Sequence, residues 1–468
     1  MGFRKSKRKE AKRRMFDVLR GLISKVSADY VDIRYEKMSE TKIVLNNREI
    51  FQLGTNTGDG FVVRILKNGG FSSVAFTRIE DAEKALKICL ENAELISENS
   101  KKKVKLAEVE VVKDTFIPNL KEDPRAVSID EKLELLMHYN EIPLKFENIT
   151  TNMQYTEVIR EKYFVSSEGT EIREDLITTG IRGMLISRDG SLVQNVRVGI
   201  GGSDGFYRLR NREEEFEKKT KIVLDLLKAE PVIGGVYNVI LNPDMTGVFT
   251  HEAFGHFSEA DLIEDNPSMR ERMKIGAKLG NDILTIIDDP TIPNQLGFYR
   301  YDDEGVRARR TYLLKDGILV GRLHSRRTAA EFGEPVTGHC VAEDYRYPPI
   351  VRMGNIFIEP KDKSFEELLE LLGDGLYILD AKGGQTSGEN FTFGAQYAFE
   401  VKNGKIGKLL RDINISGNLY KTLMDIVAIG KDFELSEVGG CGKGQLNIRS
   451  CHGGPHILVK NVVIGGVK

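Results

Sequence analysis

His251, Glu252 and His256 lie in the run Thr246-Gly247-Val248-Phe249-Thr250-His251-Glu252-Ala253-Phe254-Gly255-His256 and are the residues of this sequence best suited to chemistry. Their pattern is HExxxH. Two neutral imidazoles are good donors to a divalent metal, and a carboxylate beside the first can move a proton. In the shorter pattern HExxH, the two histidines of an ideal helix stand about 40° apart in azimuth. One more residue between them opens that angle to about 140°. A regular helix cannot present both rings to one ion. The spacing therefore predicts a helix that breaks or distorts at Gly255, where a glycine lets the backbone bend.

A catalytic zinc site takes three protein ligands and leaves one position for water. Cys441, in Val438-Gly439-Gly440-Cys441-Gly442-Lys443-Gly444-Gln445, is the best candidate for the third. Glycines on both sides allow the backbone to approach a crowded site, and a thiolate binds zinc well. Two imidazole nitrogens and one thiolate also suit zinc better than magnesium or calcium. Glu252 would then take a proton from water activated by the metal and pass it to a leaving amine, which is metal-assisted hydrolysis of an amide.

The spacing leaves two alternatives open. His251 and Glu252 can be a hydrogen-bonded pair with no metal. Cys441, Cys451, His452 and His456 can make a closed structural zinc site, although Gly453-Gly454-Pro455 leaves its geometry unconstrained. Glu259 and Asp261 are candidates to orient the histidines. His339 and His456 could bond a substrate carbonyl, and Arg352 and Asn390 a peptide backbone or terminus. The glycines at 439–444 do not make a phosphate loop. Glu437 stands where the first glycine of GxxxxGK[ST] belongs, and Gly444 replaces the hydroxyl residue.

The elements that must carry these residues alternate between strands and short helices. After a helix containing Phe16, Leu19, Leu22 and Ile23, short strands are expected at residues 32–35, 42–45, 50–53, 60–66 and 71–76, then a helix over 79–98. A second meander occupies 148–193, and Gly180–Ile186 before Arg188-Asp189-Gly190 parallels Gly60–Leu66 before Asn68-Gly69, which suggests a duplicated module. A helix follows over 213–227, and Pro231 with Gly234-Gly235 opens a third region. The expected fold class is α+β with antiparallel sheet dominant, in three domains: 1–115, a central meander domain 116–228, and a larger sheet-rich catalytic domain 229–468.

The 468 residues exceed what one hydrophobic core organises, in keeping with that division. Lys and Arg total 68 against 70 Asp and Glu, so no global field draws in nucleic acid or an acidic membrane. No apolar run is long enough for a membrane span. Four cysteines are too few for a disulfide framework and fit a reducing, cytoplasmic setting. The basic run from Arg4 to Arg14 is expected to be a solvated helix start.

Several segments together resemble the TldD and PmbA (TldE) family, on the TldD side. They are His251–Asp261 (HEAFGHFSEAD), Asp302-Asp303-Glu304-Gly305, Thr337-Gly338 with Arg352-Met353-Gly354-Asn355, Ser387–Gly394 (SGENFTFG) and Cys441-Gly442-Lys443-Gly444-Gln445. The resemblance implies a zinc-dependent metallopeptidase with one zinc per chain, held by His251, His256 and Cys441, and with Glu252 catalytic. It also implies small or unfolded peptide substrates, and a homodimer or a heterodimer with a PmbA/TldE-like subunit. The chain departs from the family pattern at Ala260, where Gly is frequent, and at Gly354, where Thr is common.

Overall fold

The structure, a computed structural model, describes residues 14–466. The basic run up to Arg13 lies outside the described residues. Helix α1 (14–23) leads into a meander of β1 (Tyr30–Asn46), β2 (Glu49–Lys67) and β3 (Gly70–Phe76), followed by α2 (Ala82–Asn99). The pattern then recurs. After β4 (Lys113–Phe116), α3 (Ile129–Leu144) precedes β5 (Ile149–Ser166), β6 (Glu171–Asp189) and β7 (Leu192–Gly202), and α4 (Glu213–Leu226) closes the unit. β1 and β5 pair along their length in antiparallel register, so both meanders form one sheet in the order β3-β2-β1-β5-β6, with β4 and β7 both on β6.

The strands are longer than expected: segments 32–35 and 42–45 belong to one strand, as do 50–53 and 60–66. The reason lies in the two faces of the sheet. Ile33, Ile43, Val63, Tyr155, Val165, Ile181 and Leu185 face the helices and form two apolar cores with them. The opposite face carries buried charges instead. Arg160 bonds Glu36 at 2.6 Å, and Arg64 and Lys162 bond Glu304 and Asp303 of the third region at 2.8 and 3.0 Å. Ion pairing lets a strand run on through residues whose polarity reads as a loop.

Beyond residue 229 two large sheets form, with a two-stranded pair of Cys340–Val341 and Ile350–Val351 besides. One is six-stranded and contains Ile286–Asp288, Asn355–Ile358 and Cys451–Gly454. In the other, Gly375–Ser387, Gly235–Leu241, Ile457–Gly465, Asn414–Asn418 and Asn390–Lys402 pair in a closed ring. Helix α5 (Pro243–Phe249) lies between the two sheets. Asn242 caps it, taking the Met245 N–H at 3.0 Å, and Pro243 fits its first turn. Met245, Phe249, Ala253 and Phe254 pack against Ile378, Phe391 and Phe393 of the ring and Ile286, Ile356 and Ile358 of the other sheet. Burying each phenylalanine contributes about 1.5–3 kcal/mol, which fixes the helix that carries the site. The whole is α+β with antiparallel pairing predominant, as the alternation implies.

Candidate metal centre

Past Phe249 the helix widens. Thr250–Gly255 forms a π turn in which the His256 N–H bonds the His251 carbonyl, five residues back, before a short 3-10 turn over His256–Ser258. In an α-helix the i→i+4 bond sets residue i+4 above residue i; an i→i+5 bond does the same for residue i+5. The added residue of HExxxH is thereby absorbed, and the rings of His251 and His256 lie 5.2 Å apart at 90°. Thr250 Oγ1 bonds back to the Thr246 carbonyl at 2.7 Å, a contact that bends helices. The helix does not break at Gly255, which keeps right-handed helical angles (φ −55°, ψ −49°). Glycine is required there by packing: a Cβ would lie 2.1 Å from Met353 Sδ and 2.9 Å from Ile356 Cδ1.

Cys441 comes from a loop on the other side of the cleft. It exchanges both backbone hydrogen bonds with Ile448, each 3.0 Å, and Gly440 and Gly444 turn the chain with φ of 131° and 69°. The central sheet braces this loop. Glu437 accepts from Arg212 at 2.9 Å and from the Gly201 N–H at 3.0 Å, while Arg449 donates to Ser203 Oγ at 2.6 Å and Thr178 Oγ1 at 2.9 Å. Cys441 Sγ lies 3.6 Å from His256 Nε2. One ligand atom from each of His251, Glu252, His256 and Cys441 falls within 4.8 Å of the others.

The electrostatics differ from residue to residue. His251 is 4% exposed, and burial, reinforced by His256 and His452, keeps its pKa well below the usual imidazole value, so the ring is neutral. Its Nδ1 is buried without a hydrogen-bond partner. A neutral ring with an orphaned nitrogen, facing a second imidazole and a thiol, fits a metal ion. Burial raises the pKa of Glu252 above the ordinary carboxylate value. Burial opposes charge on His256, but Cys441 and Glu259 prevail and push it up to about 10. His256 Nδ1 lies 3.1 Å from Glu259 Oε2, and Asp261 accepts from Lys443 at 2.7 Å. Glu252 and His256 open onto a cavity of about 580 Å³ lined also by Phe257, Leu262, Met269 and Thr386.

The alternative set of Cys441, Cys451, His452 and His456 is not assembled. Cys451 bonds the Ser436 carbonyl, His456 lies between Asp432 and the Tyr377 hydroxyl, and His452 turns toward Asp244. His339 is fully buried against Asp288, at 2.9 Å. Arg352, also fully buried, faces Glu259 at 3.2 Å, and Asn390 pairs with Asn418 across the ring. Two contributors have no role assigned from the sequence: Thr386, whose hydroxyl bonds the Glu252 carbonyl at 3.0 Å, and Lys443, marked there only as part of the Cys441 segment, which reaches Glu259 and Asp261.

Sequence models of PmbA/TldA metallopeptidase domain 1, the central domain and the C-terminal domain match residues 31–97, 122–229 and 234–466. A metalloprotease of Synechocystis sp. is 37% identical over 443 residues, 94% of this chain and 95% of that protein. The chain belongs to the PmbA/TldD metallopeptidase family. It is therefore a hydrolase of peptide bonds. Within the family, the zinc metalloprotease TldD homolog of Saccharolobus solfataricus is 29% identical over 94% of this chain and 97% of its own. The crystal structure of TldE from Thermococcus kodakarensis shares the fold, with a TM-score of 0.77 at 19% identity, covering 97% of this chain and all of that one.

Proposed function

We propose that this metallopeptidase holds one zinc ion per chain through His251, His256 and Cys441, and that Glu252 is its catalytic base. The observation that carries the reading is the convergence, within 4.8 Å, of the π-turn residues and a cysteine from a distant loop. The donor set of two imidazoles and one thiolate suits zinc, and a relative bears the name zinc metalloprotease. Zinc bound there supplies Lewis acidity, polarising the amide carbonyl and making water a competent nucleophile near neutral pH.

The chain's own groups do the rest. Glu252, on the wall of the cavity, takes the proton of the attacking water and returns it to the leaving nitrogen. Its raised pKa makes the carboxylic acid easier to form for the second transfer. Glu259 holds His256 by Nδ1, leaving Nε2 directed at Cys441. The Thr386 hydroxyl ties the 375–402 hairpin to the helix beside Glu252, which gives the cleft a second wall.

Small or unfolded peptides are the substrates that the family relationship implies, and the cavity of about 580 Å³ beside Glu252 has room for a short extended stretch. A homodimer or a heterodimer with a PmbA/TldE-like subunit is the assembly that the likeness to TldE supports. Four free cysteines support a cytoplasmic setting. Glu252→Ala tests the mechanism: the variant retains zinc and loses hydrolysis of a fluorogenic peptide panel, and an active variant would refute it.

A further inference from the structure

We propose that Glu259 is a positioning residue shared by two ligand-bearing segments, and that Lys443 is its counterpart on the Cys441 loop. Together they set His256 and Cys441 face to face before any metal binds. The proposal rests on His256 and Cys441 being ligands, and deepens that reading.

Glu259 is fully buried three residues after His256. An ionised carboxylate only accepts hydrogen bonds, so its contact with His256, 3.1 Å from Nδ1 to Oε2, places the ring proton on Nδ1. Nε2 is left on the Cys441 side, 3.6 Å from Sγ, and becomes a metal donor when it gives up its own proton. The same Oε2 lies 3.2 Å from the Lys443 ammonium, two residues beyond Cys441. Oε1 faces Arg352 at 3.2 Å, a fully buried guanidinium whose charge also lies beside Cys441. One carboxylate thus joins the helix end, the Arg352 segment and the Cys441 loop.

Lys443 is engaged as fully as a lysine can be. Its ammonium has three N–H groups. Its neighbours are three acceptors: Asp261 Oδ1 at 2.7 Å, the Val351 carbonyl at 2.7 Å and Glu259 Oε2 at 3.2 Å. The side chain is 16% exposed, so this is not a solvated tail. Apolar packing cannot do the same for the tip of the loop, where Gly442 and Gly444 have no side chain and Leu446 is 85% exposed. Polar anchors must hold Cys441 in place, and Lys443 is the anchor nearest to it that reaches the elements following His256.

The test is cobalt(II) substitution of the full chain, read by absorption. Thiolate ligation gives a sulfur-to-cobalt charge-transfer band, while d–d bands report the rest of the coordination. The wild type shows both. Lys443→Met keeps the d–d bands, loses most of the charge-transfer intensity and binds zinc about 10- to 100-fold more weakly in competition with a chromophoric chelator. Lys443→Arg restores most of each loss, because it keeps the charge. Should Lys443→Met fail to fold, as judged by circular dichroism of the metal-free protein, Asp261→Asn carries the same expectation. Undiminished charge-transfer intensity and zinc affinity in Lys443→Met would overturn the proposal and leave Glu437 and Gln445 as the anchors of the loop. A wild type with d–d bands but no charge-transfer band would overturn this proposal and the role of Cys441 together.

Discussion

Adding one carbon at residue 255 should disturb both the core and the metal centre. The Cβ of Gly255→Ala would lie 2.1 Å from Met353 Sδ and 2.9 Å from Ile356 Cδ1, where about 3.5–4.0 Å is needed. Met353 and Ile356 are fully buried, so the thioether must retreat by roughly 1.5 Å into occupied space, or the helix must move. Overpacking of this kind costs about 1–3 kcal/mol. If the helix yields instead, His256 leaves the position facing Cys441 and zinc affinity falls as well. The assay is urea unfolding of the metal-free protein followed by far-UV circular dichroism, since the chain has no tryptophan to report by fluorescence. Met353→Ala alone should cost about 2–5 kcal/mol through its cavity, and the double variant should cost less than the sum, by about 1 kcal/mol or more, because the new methyl fills part of that cavity. Additive effects, or a Gly255→Ala protein as stable as wild type, would refute the assignment of Gly255 to close packing.

Burial raises the pKa of Glu252, and the base must be ionised to accept a proton. Activity should therefore fall as pH drops through the Glu252 pKa, an acid limb of kcat/KM that the residual activity of Glu252→Gln lacks; an unchanged limb in that variant would argue against Glu252 as the group it reports. Asp303 is buried, yet Lys162, Arg34 and Arg160 hold its pKa well below the usual carboxylate value. A depressed folded-state pKa gives stability that is present above the unfolded value and lost as pH falls through the folded one. Asp303→Asn should cost about 3–5 kcal/mol in urea unfolding at neutral pH and flatten the loss of stability in acid; a neutral substitution would show that the ion network joining the sheet to the third region is dispensable.

The fold class was legible because alternating hydrophobicity and paired turns such as Ser167-Glu168-Gly169 survive in the structure as strand ends. Strand length was not. Glu36 and Arg160 are buried as an ion pair across the sheet and Lys162 against Asp303 of the third region, and polarity alone cannot distinguish such a face from a solvated loop. At the site, spacing exposed a conflict between HExxxH and a regular helix, and a distortion was the right inference. Its form was hidden, because a π turn follows from tertiary packing and carries no periodicity of its own. The glycine at 255 was legible as a special position but for the wrong reason, since Met353 is distant in sequence. Thr386 and Lys443 escaped for the same cause: their partners lie far along the chain.

The central claim is that a cysteine on a loop completes a metal site begun on the π turn. The most direct test is elemental analysis of wild type and Cys441→Ala, purified without added metal or chelator, followed by zinc titration of each. The account predicts about one zinc per chain in wild type and little or none in the variant, with much weakened binding on titration. Equal zinc content and affinity in the two proteins would contradict it.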